Sequence, residues 1–330
     1  MEYEIIATLG PKSSTEPLWL SLLSAGASSF RLNTSHLSLE QLEHWLHRLL
    51  PFLKRQGLFN HLVLDLQGSK WRLGDFAQFF LDPGQAVELV CAPSAKNTGI
   101  VPVPHQDFFQ AALCSDGTIV LNDARIVLTV EKADALTLQA RVVSGGEISS
   151  RKGITCSSTS FRRESLGEKD VATLNLTKGM DGVRYAISYV KDAKEMAWYR
   201  TMTGDQAYVI AKLERKDSLE GVEGIAMFSD ELWLCRGDLG AEMGLVAMAE
   251  AVHRISDKVR SISKPVILAG QVLEHMTTCP VPTRSEVCCL HDALLNGYKG
   301  IVLSDETAVG KYPVESCQAA AMFKTCVPSS

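Results

Sequence analysis

The sequence contains no C-x-x-C pair, no block of lysine and arginine, and no apolar run of membrane-spanning length. Without a C-x-x-C pair the usual zinc-ligand spacing is missing. Its nine cysteines are scattered and odd in number, so they read as reduced thiols packed as small apolar groups, not as a disulfide framework. With no basic block and a net charge of −5, the chain carries no electrostatic footprint for nucleic acid. No basic segment followed by an apolar one precedes the first strand, which points to a cytoplasmic protein with no membrane partner. Hydrophobic residues at 46% and charged residues at 22% give the balance of an ordinary globular protein, long enough to bury a substantial core.

What is present is an alternation of short apolar runs and helical patterns. Tyr3–Thr8, Ser28–Asn33 and His61–Asp65 read as strands. Between the first two, Thr15 with Pro17 opens a helix that ends at Gly26. Ser38 with Gln41 forms a capping box for a second helix, stopped by Gly57, with Leu39, Leu42, Trp45, Leu46, Leu49 and Leu53 on one face. This order predicts parallel pairing through right-handed crossovers. From Gly74 to Ser150 the helical period disappears. Ala86–Cys91, Thr118–Leu121, Ile126–Lys132 and Leu136–Val143 read as short strands, with turns at Asn122-Asp123, Ala133-Asp134 and Gly145-Gly146. The β/α alternation returns at Arg151, with strands at Val183–Tyr189, Ala207–Leu213, Glu231–Cys235, Pro265–Ala269 and Gly300–Leu303. The prediction is an α/β fold: a (β/α)8 barrel over 1–73 and 151–330, about the 250 residues such a barrel takes, with a small all-β, barrel-like lid inserted at 74–150. No internal repeat or low-complexity stretch interrupts it, and Pro328-Ser329-Ser330 reads as a frayed end.

In such barrels the reactive groups lie at the C-terminal ends of the strands. Those positions hold Thr8, Arg31 with Asn33, Asp65, Ser188, Lys212 with Glu214, Arg236 with Asp238, Gly270-Gln271, and Ser304 with Glu306. Some polarity is expected wherever a strand leaves the core. Four acids, a lysine and two arginines on one rim are not. Glu214 and Asp238 end adjacent strands, so their carboxylates can share a cation. Hard oxygen ligands with few protein donors suit Mg2+ or Mn2+. A rim with such a metal and Lys212 is suited to stabilising an enolate or a transferring phosphoryl group. Arg236-Gly237-Asp238 spells an adhesion motif, but at a strand end in a cytosolic protein it reads as part of this rim.

These residues sit in blocks that resemble the pyruvate kinase family across essentially the whole chain. In order they are Ala7-Thr8-Leu9-Gly10-Pro11-Lys12, Phe30-Arg31-Leu32-Asn33-Thr34-Ser35-His36, Leu64-Asp65-Leu66-Gln67-Gly68, Lys212-Leu213-Glu214, Arg236-Gly237-Asp238-Leu239-Gly240, Pro282-Thr283-Arg284-Ser285-Glu286, and Leu303-Ser304-Asp305-Glu306-Thr307-Ala308 with Gly310-Lys311-Tyr312-Pro313. Each block alone is a modest signal; their order around an inserted module is a strong one. The resemblance implies that Lys212 stabilises the transferring phosphoryl group and the enolate, and that Glu214 and Asp238 bind Mg2+ or Mn2+. It implies that Arg31 reaches the transferring phosphate and that the backbone at Gly237 and Asp238 receives the substrate carboxylate. Asn33, Ser35 and Asp65 match positions that coordinate potassium, and Arg72 and Lys152 match contacts to the phosphates of ADP or ATP.

Three departures shape the expectations. Lys70 stands where many family members carry a glutamate beside the potassium site, so a fixed ammonium is expected to replace the monovalent cation, and K+ is not expected to be required. Gly270 replaces the family's threonine, whose hydroxyl lies near the enol carbon that is protonated. Either that proton relay is lost or the substrate is bulkier than phosphoenolpyruvate, and Gly270→Thr is expected to raise activity if only the relay is missing. His275, one turn on, is a candidate proton carrier, although a lone helix histidine is more often structural. The chain stops at Ser330 without the family's usual C-terminal domain, so allosteric control by sugar phosphates is not expected. A homodimer is then the expected assembly in place of the tetramer. Smaller departures are Asn122-Asp123-Ala124, Gly153-Ile154-Thr155-Cys156, Cys289 and Asp292.

The leading reading is therefore a short pyruvate kinase-like phosphotransferase acting on phosphoenolpyruvate or an analogue. A 2-keto acid lyase or aldolase on the same barrel plan needs no nucleotide-gripping lid, so Arg72, Lys152 and the insert speak against it. A non-catalytic, metabolite-sensing paralogue would have little reason to keep Lys212, Glu214, Asp238 and Arg31 together.

Overall fold

Short runs of aliphatic residues form the strands that organise the molecule; Leu62–Leu66 is buried at every position. In the computed structural model, which describes residues 1–97, 99–115, 117–121, 125–156 and 166–324, eight such strands close into a parallel barrel. They are Glu4–Leu9, Ser29–Asn33, Leu62–Leu66, Val183–Ile187, Tyr208–Leu213, Glu231–Cys235, Val266–Ala269 and Gly300–Leu303. The eighth pairs with the first from Glu4 opposite Gly300 to Ala7 opposite Leu303, which completes the ring and leaves no strand edge exposed. Ile6, Val63, Ala186, Ile210, Trp233 and Val302 fill the lumen. The opposite strand faces pack on the surrounding helices in one large apolar layer.

The helix Leu39–Arg55 shows how local signals serve this packing. Both hydrogen bonds of the capping box form, between Ser38 and Gln41 in each direction. Its inner face is Leu42, Leu46, Leu49, Phe52 and Leu53, whereas Leu39 at the first turn stays 40% exposed. The Phe52 ring meets Trp19 edge-on, with centroids 5.3 Å apart. Burying each such side chain contributes roughly 1.5–3 kcal/mol, so this face and not helix propensity holds the element in place.

The N-terminal mouth of the barrel is closed by a polar network at the strand starts. Arg184 donates to Glu4 and approaches Glu231, while the Tyr208 hydroxyl and the Trp233 indole both donate to Glu231. His61 reaches the same layer through Ser29, which also donates to Glu4.

The inserted segment has its own core and a curled six-stranded sheet. The strand order is Ile154–Cys156, Thr118–Leu121, Ile126–Ala133, Thr137–Ser144, Ala86–Val90 and Ile100–Pro102. A two-stranded sheet pairs Phe79–Leu81 with Gly146–Ile148. The sheet thus continues past Ser150 to Cys156, and Arg72 forms a bridge with Gly153. One helix, Gln106–Leu113, lies where the sequence shows no helical period; eight residues are too few to display one. Its Phe108 and Phe109 are buried, and Phe108 packs edge-on against Trp71. The turn at Asn122-Asp123-Ala124 and the C-terminal residues Pro328-Ser329-Ser330 lie outside the described residues. Among the described residues no helix is long and apolar enough to cross a membrane.

Candidate active site

Strand periodicity assembles the site. In each strand the residue two positions beyond an apolar lumen residue points the same way, one layer higher. Ile6 is thus followed by Thr8, Val63 by Asp65, Ala186 by Ser188, and Ile210 by Lys212 and then Glu214. The apolar lumen gives way to a polar layer at the C-terminal mouth.

Lys212 is the centre of that layer and is only 8% exposed. Its Nζ lies 2.8 Å from Glu214 Oε1, 3.2 Å from Asp65 Oδ1 and 2.9 Å from Ser188 Oγ. Burial opposes the ammonium charge, but Asp65 and Glu214 outweigh it and hold Lys212 above the ordinary lysine range. Asp65 is likewise buried, and Lys212 and Arg31 overcome that penalty and bring it down to about 2. Arg31 donates to Asp65 Oδ2 from Nε at 2.7 Å and to Thr8 Oγ1 from Nη1 at 2.8 Å. Two fixed cations thus share Asp65, and Lys212 also pairs with Glu214.

Glu214 Oε2 accepts the Tyr189 amide at 2.7 Å, and Tyr189 sits at φ +64, unusual for an aromatic residue. Asp238 lies in the first turn of the helix Arg236–Met243, and burial works against its charge. Lys70, with Nζ 2.5 Å from Asp238 Oδ1, reverses the effect and holds the carboxyl below its ordinary value. Burial raises Glu214; Lys212 pulls it down and the nearby Asp238 pushes it up again. Two carboxylates close enough to repel fit a divalent cation, and Mg2+ commonly takes only one or two from the protein. Among the described residues no group of three His, Cys, Asp or Glu side chains gathers to form a richer metal cage.

The segments of Asn33, Ser35 and Asp65 lie side by side. Asn33 Oδ1 accepts the Ser35 amide at 3.2 Å, and Thr34 donates to the Asp65 carbonyl. Lys70 pairs with Asp238. Lys169 Nζ donates to the Ser35 carbonyl at 3.0 Å. Burial, then Arg151, lowers Lys169 to about 8. Ser35 Oγ is buried without a hydrogen-bond partner among the described residues.

Gly270 takes φ +85, and a Cβ there would stand 2.9 Å from Gly237 N and 3.1 Å from Arg236 N. Its carbonyl accepts Arg236 Nε at 3.0 Å and Nη2 at 2.8 Å, and Arg236 Nη2 also reaches the Gln271 carbonyl. The remaining guanidinium nitrogen Nη1 lies 3.1 Å from Cys289 Sγ. This geometry bears on the expectation that Gly270→Thr would raise activity if only the relay is missing. This backbone suits glycine, and a side chain would crowd the amide of Gly237. The space beside Gly237 itself is open.

A groove of about 410 Å3 runs between the barrel and the insert, lined by Ser35, Gln67, Arg72, Arg151 and Lys169. Arg72 donates to the Arg151 carbonyl, and the Lys152 carbonyl takes the Leu73 amide. Burial, then Arg72, Lys152, Arg31 and Lys169, hold His36 down at about 3. Arg72, Arg151 and Lys169 give the lining of this groove a positive character that favours an anion. Sequence reasoning named Arg72 and Lys152 but missed His36, Arg151 and Lys169, and it gave Ser188 no role. His36 closes one of the quoted blocks, so it was within reach. Lys169 joins the site only because the Glu168–Thr177 helix returns to Ser35, a contact without a local signal.

The fold and the site together define a (β/α)8 barrel with a charged C-terminal mouth and an inserted β module beside it. A family profile described as "Pyruvate kinase, barrel domain" matches residues 1–317. The chain is 35% identical over 317 residues to a pyruvate kinase of Methylorubrum extorquens, covering 95% of this chain and 66% of that protein. It is 32% identical over 320 residues to a pyruvate kinase of Agrobacterium vitis, covering 96% of this chain and 66% of that protein, and 32% identical over 320 residues to one of Aeropyrum pernix, covering 96% and 68%. The chain belongs to the pyruvate kinase family. It spans about two thirds of the length of the curated relatives it matches.

Proposed function

We propose that this chain transfers a phosphoryl group between phosphoenolpyruvate, or a related enol phosphate, and a nucleoside diphosphate. The observation that carries this reading is the buried Lys212 ammonium, held at the barrel mouth by Asp65, Glu214 and Ser188, with Arg31 braced on the same aspartate. Phosphoryl transfer asks mainly for positioning and charge neutralisation, and this layer suits both. The names of the three relatives support the same reaction.

In this reading Glu214 and Asp238 would hold Mg2+ or Mn2+. The cation would supply positive charge to the phosphoryl and enolate oxygens. Lys212 keeps its proton and faces the developing enolate; Arg31, held by Asp65 and Thr8, would bring its positive charge to the transferring phosphate. The amides at Gly237 and Asp238 open a helix N-terminus and suit the substrate carboxylate. Arg72 and Lys152, whose charges help to keep His36 neutral, suit the nucleotide phosphates. That cationic groove favours phosphotransfer over a lyase or aldolase, which has no diphosphate to hold.

K+ is not expected to be required. Asp65 is already met by the fixed charges of Arg31 and Lys212, and the Ser35 carbonyl already takes the Lys169 ammonium. We place the protein in the cytoplasm as a homodimer, with small molecules as its ligands.

The test is an assay with ADP, Mg2+ or Mn2+ and a panel of enol phosphates, reading nucleoside triphosphate. At least one substrate should turn over, and Glu214→Gln should lower its kcat/KM by about a hundredfold or more. Equal rates in the two proteins would remove Glu214 from the reaction.

A further inference from the structure

Lys70 follows the third barrel strand and is fixed before its side chain begins. Its amide donates to the Gln67 carbonyl at 3.4 Å, and its own carbonyl accepts Gln67 Nε2 at 3.1 Å. The stem runs against the strand returning from the insert. A Cβ at Gly153 would stand 2.8 Å from Lys70 Cε, so the glycine leaves room for the lysine and the backbone there confines it. The ammonium ends 2.5 Å from Asp238 Oδ1, with side chains 11% and 15% exposed. An ammonium so placed and so shielded is not a solvated surface lysine.

We propose that Lys70 is an internal competitor for the divalent cation, so that binding at the Glu214–Asp238 pair requires displacement of its ammonium from Asp238. This rests on the reading of Glu214 and Asp238 as the cation's ligands. Glu214 and Asp238 together bring two negative charges, and Lys212 already balances one of them. With Lys70 on the second, the pair is neutral overall, and an arriving Mg2+ or Mn2+ meets no net attraction until Lys70 moves aside. Such a residue sets cation affinity without touching substrate. It also makes cation binding depend on the turn Gln67–Lys70 and on the strand carrying Gly153, beside Lys152 and bridged to Arg72.

The test is Mn2+ binding without substrates, read as free Mn2+ by electron paramagnetic resonance, in the full chain and in Lys70→Gln, Lys70→Met and Asp238→Asn. Both Lys70 variants should bind Mn2+ about tenfold tighter or better, since a charge close to the carboxylate is removed. Asp238→Asn should bind it more weakly than the unaltered chain. Unchanged or weaker binding in both Lys70 variants, with the loss in Asp238→Asn intact, overturns the proposal and leaves the metal pair standing. Unchanged binding in Asp238→Asn removes the pair itself, and the proposal with it. Thermal melting of each variant confirms that folded protein is being compared.

Discussion

Restoring a threonine at position 270 is the most informative single change in this barrel, and the structure gives it a sign opposite to the simplest expectation. Gly270 holds φ +85, where a residue other than glycine carries strain of about 1–3 kcal/mol, with a β-branched side chain toward the upper end. The new Cβ would also stand 2.9 Å from Gly237 N, and forcing atoms into such space costs about 1–3 kcal/mol. The turn can relieve part of this by shifting, which brings the total to roughly 2–4 kcal/mol. A shift of the turn moves the Gly270 and Gln271 carbonyls away from Arg236 and disturbs the amides proposed to receive the substrate carboxylate. Misplacement of about 1 Å at such a position costs up to about a hundredfold in rate. Gly270→Thr should therefore melt several degrees lower and lose about ten- to a hundredfold in kcat/KM with phosphoenolpyruvate and ADP, with Gly270→Ala intermediate. A threonine variant that melts with the parent and turns over faster would refute the reasoning and restore the missing-relay explanation.

Other outcomes follow from charge. Burial, then Glu4, raises Glu231 from 4.5 to about 7, so the fold favours its protonated form. That stability is fully present below pH 4.5 and is lost as pH rises through about 7, a fall of about 3 kcal/mol. Melting curves across that range should show the fall in the parent chain and little of it in Glu231→Gln; parallel curves would exclude Glu231 as the source. Initial rates in K+ and Na+ buffers of equal ionic strength should agree within about twofold. Strong activation by K+ would show that Ser35 and Asp65 need a mobile cation in addition to Lys169, Arg31 and Lys212.

Much of this architecture was legible because periodicity and chemistry coincide. The strands at Glu231–Cys235 and Gly300–Leu303 have the bounds their apolar runs announce, and the step from Val63 to Asp65 or from Ile210 to Lys212 marks where the lumen ends and the mouth begins. Residue type at the strand ends therefore marks the polar layer. What could not be read depends on contacts between distant segments. Nothing local says that Lys70 turns to Asp238 and Lys169 to Ser35, since a lysine's reach of several ångströms leaves its partner open. The meaning of Gly270 also changed, because a glycine that removes a hydroxyl and one that permits a left-handed backbone look identical in sequence. The helix Gln106–Leu113 was hidden by its shortness, and the network of Glu4, Arg184 and Glu231 by the spread of its members across three strands.

The central claim is that the Lys212 ammonium, fixed by Asp65 and Glu214, stabilises the transferring phosphoryl group and the enolate. Single-turnover transfer from labelled phosphoenolpyruvate to ADP in saturating Mg2+, compared between the parent chain and Lys212→Met, tests it most directly. The account requires rapid formation of labelled ATP in the parent and a rate at least about a thousandfold lower in the folded variant. Comparable rates in the two proteins would contradict it.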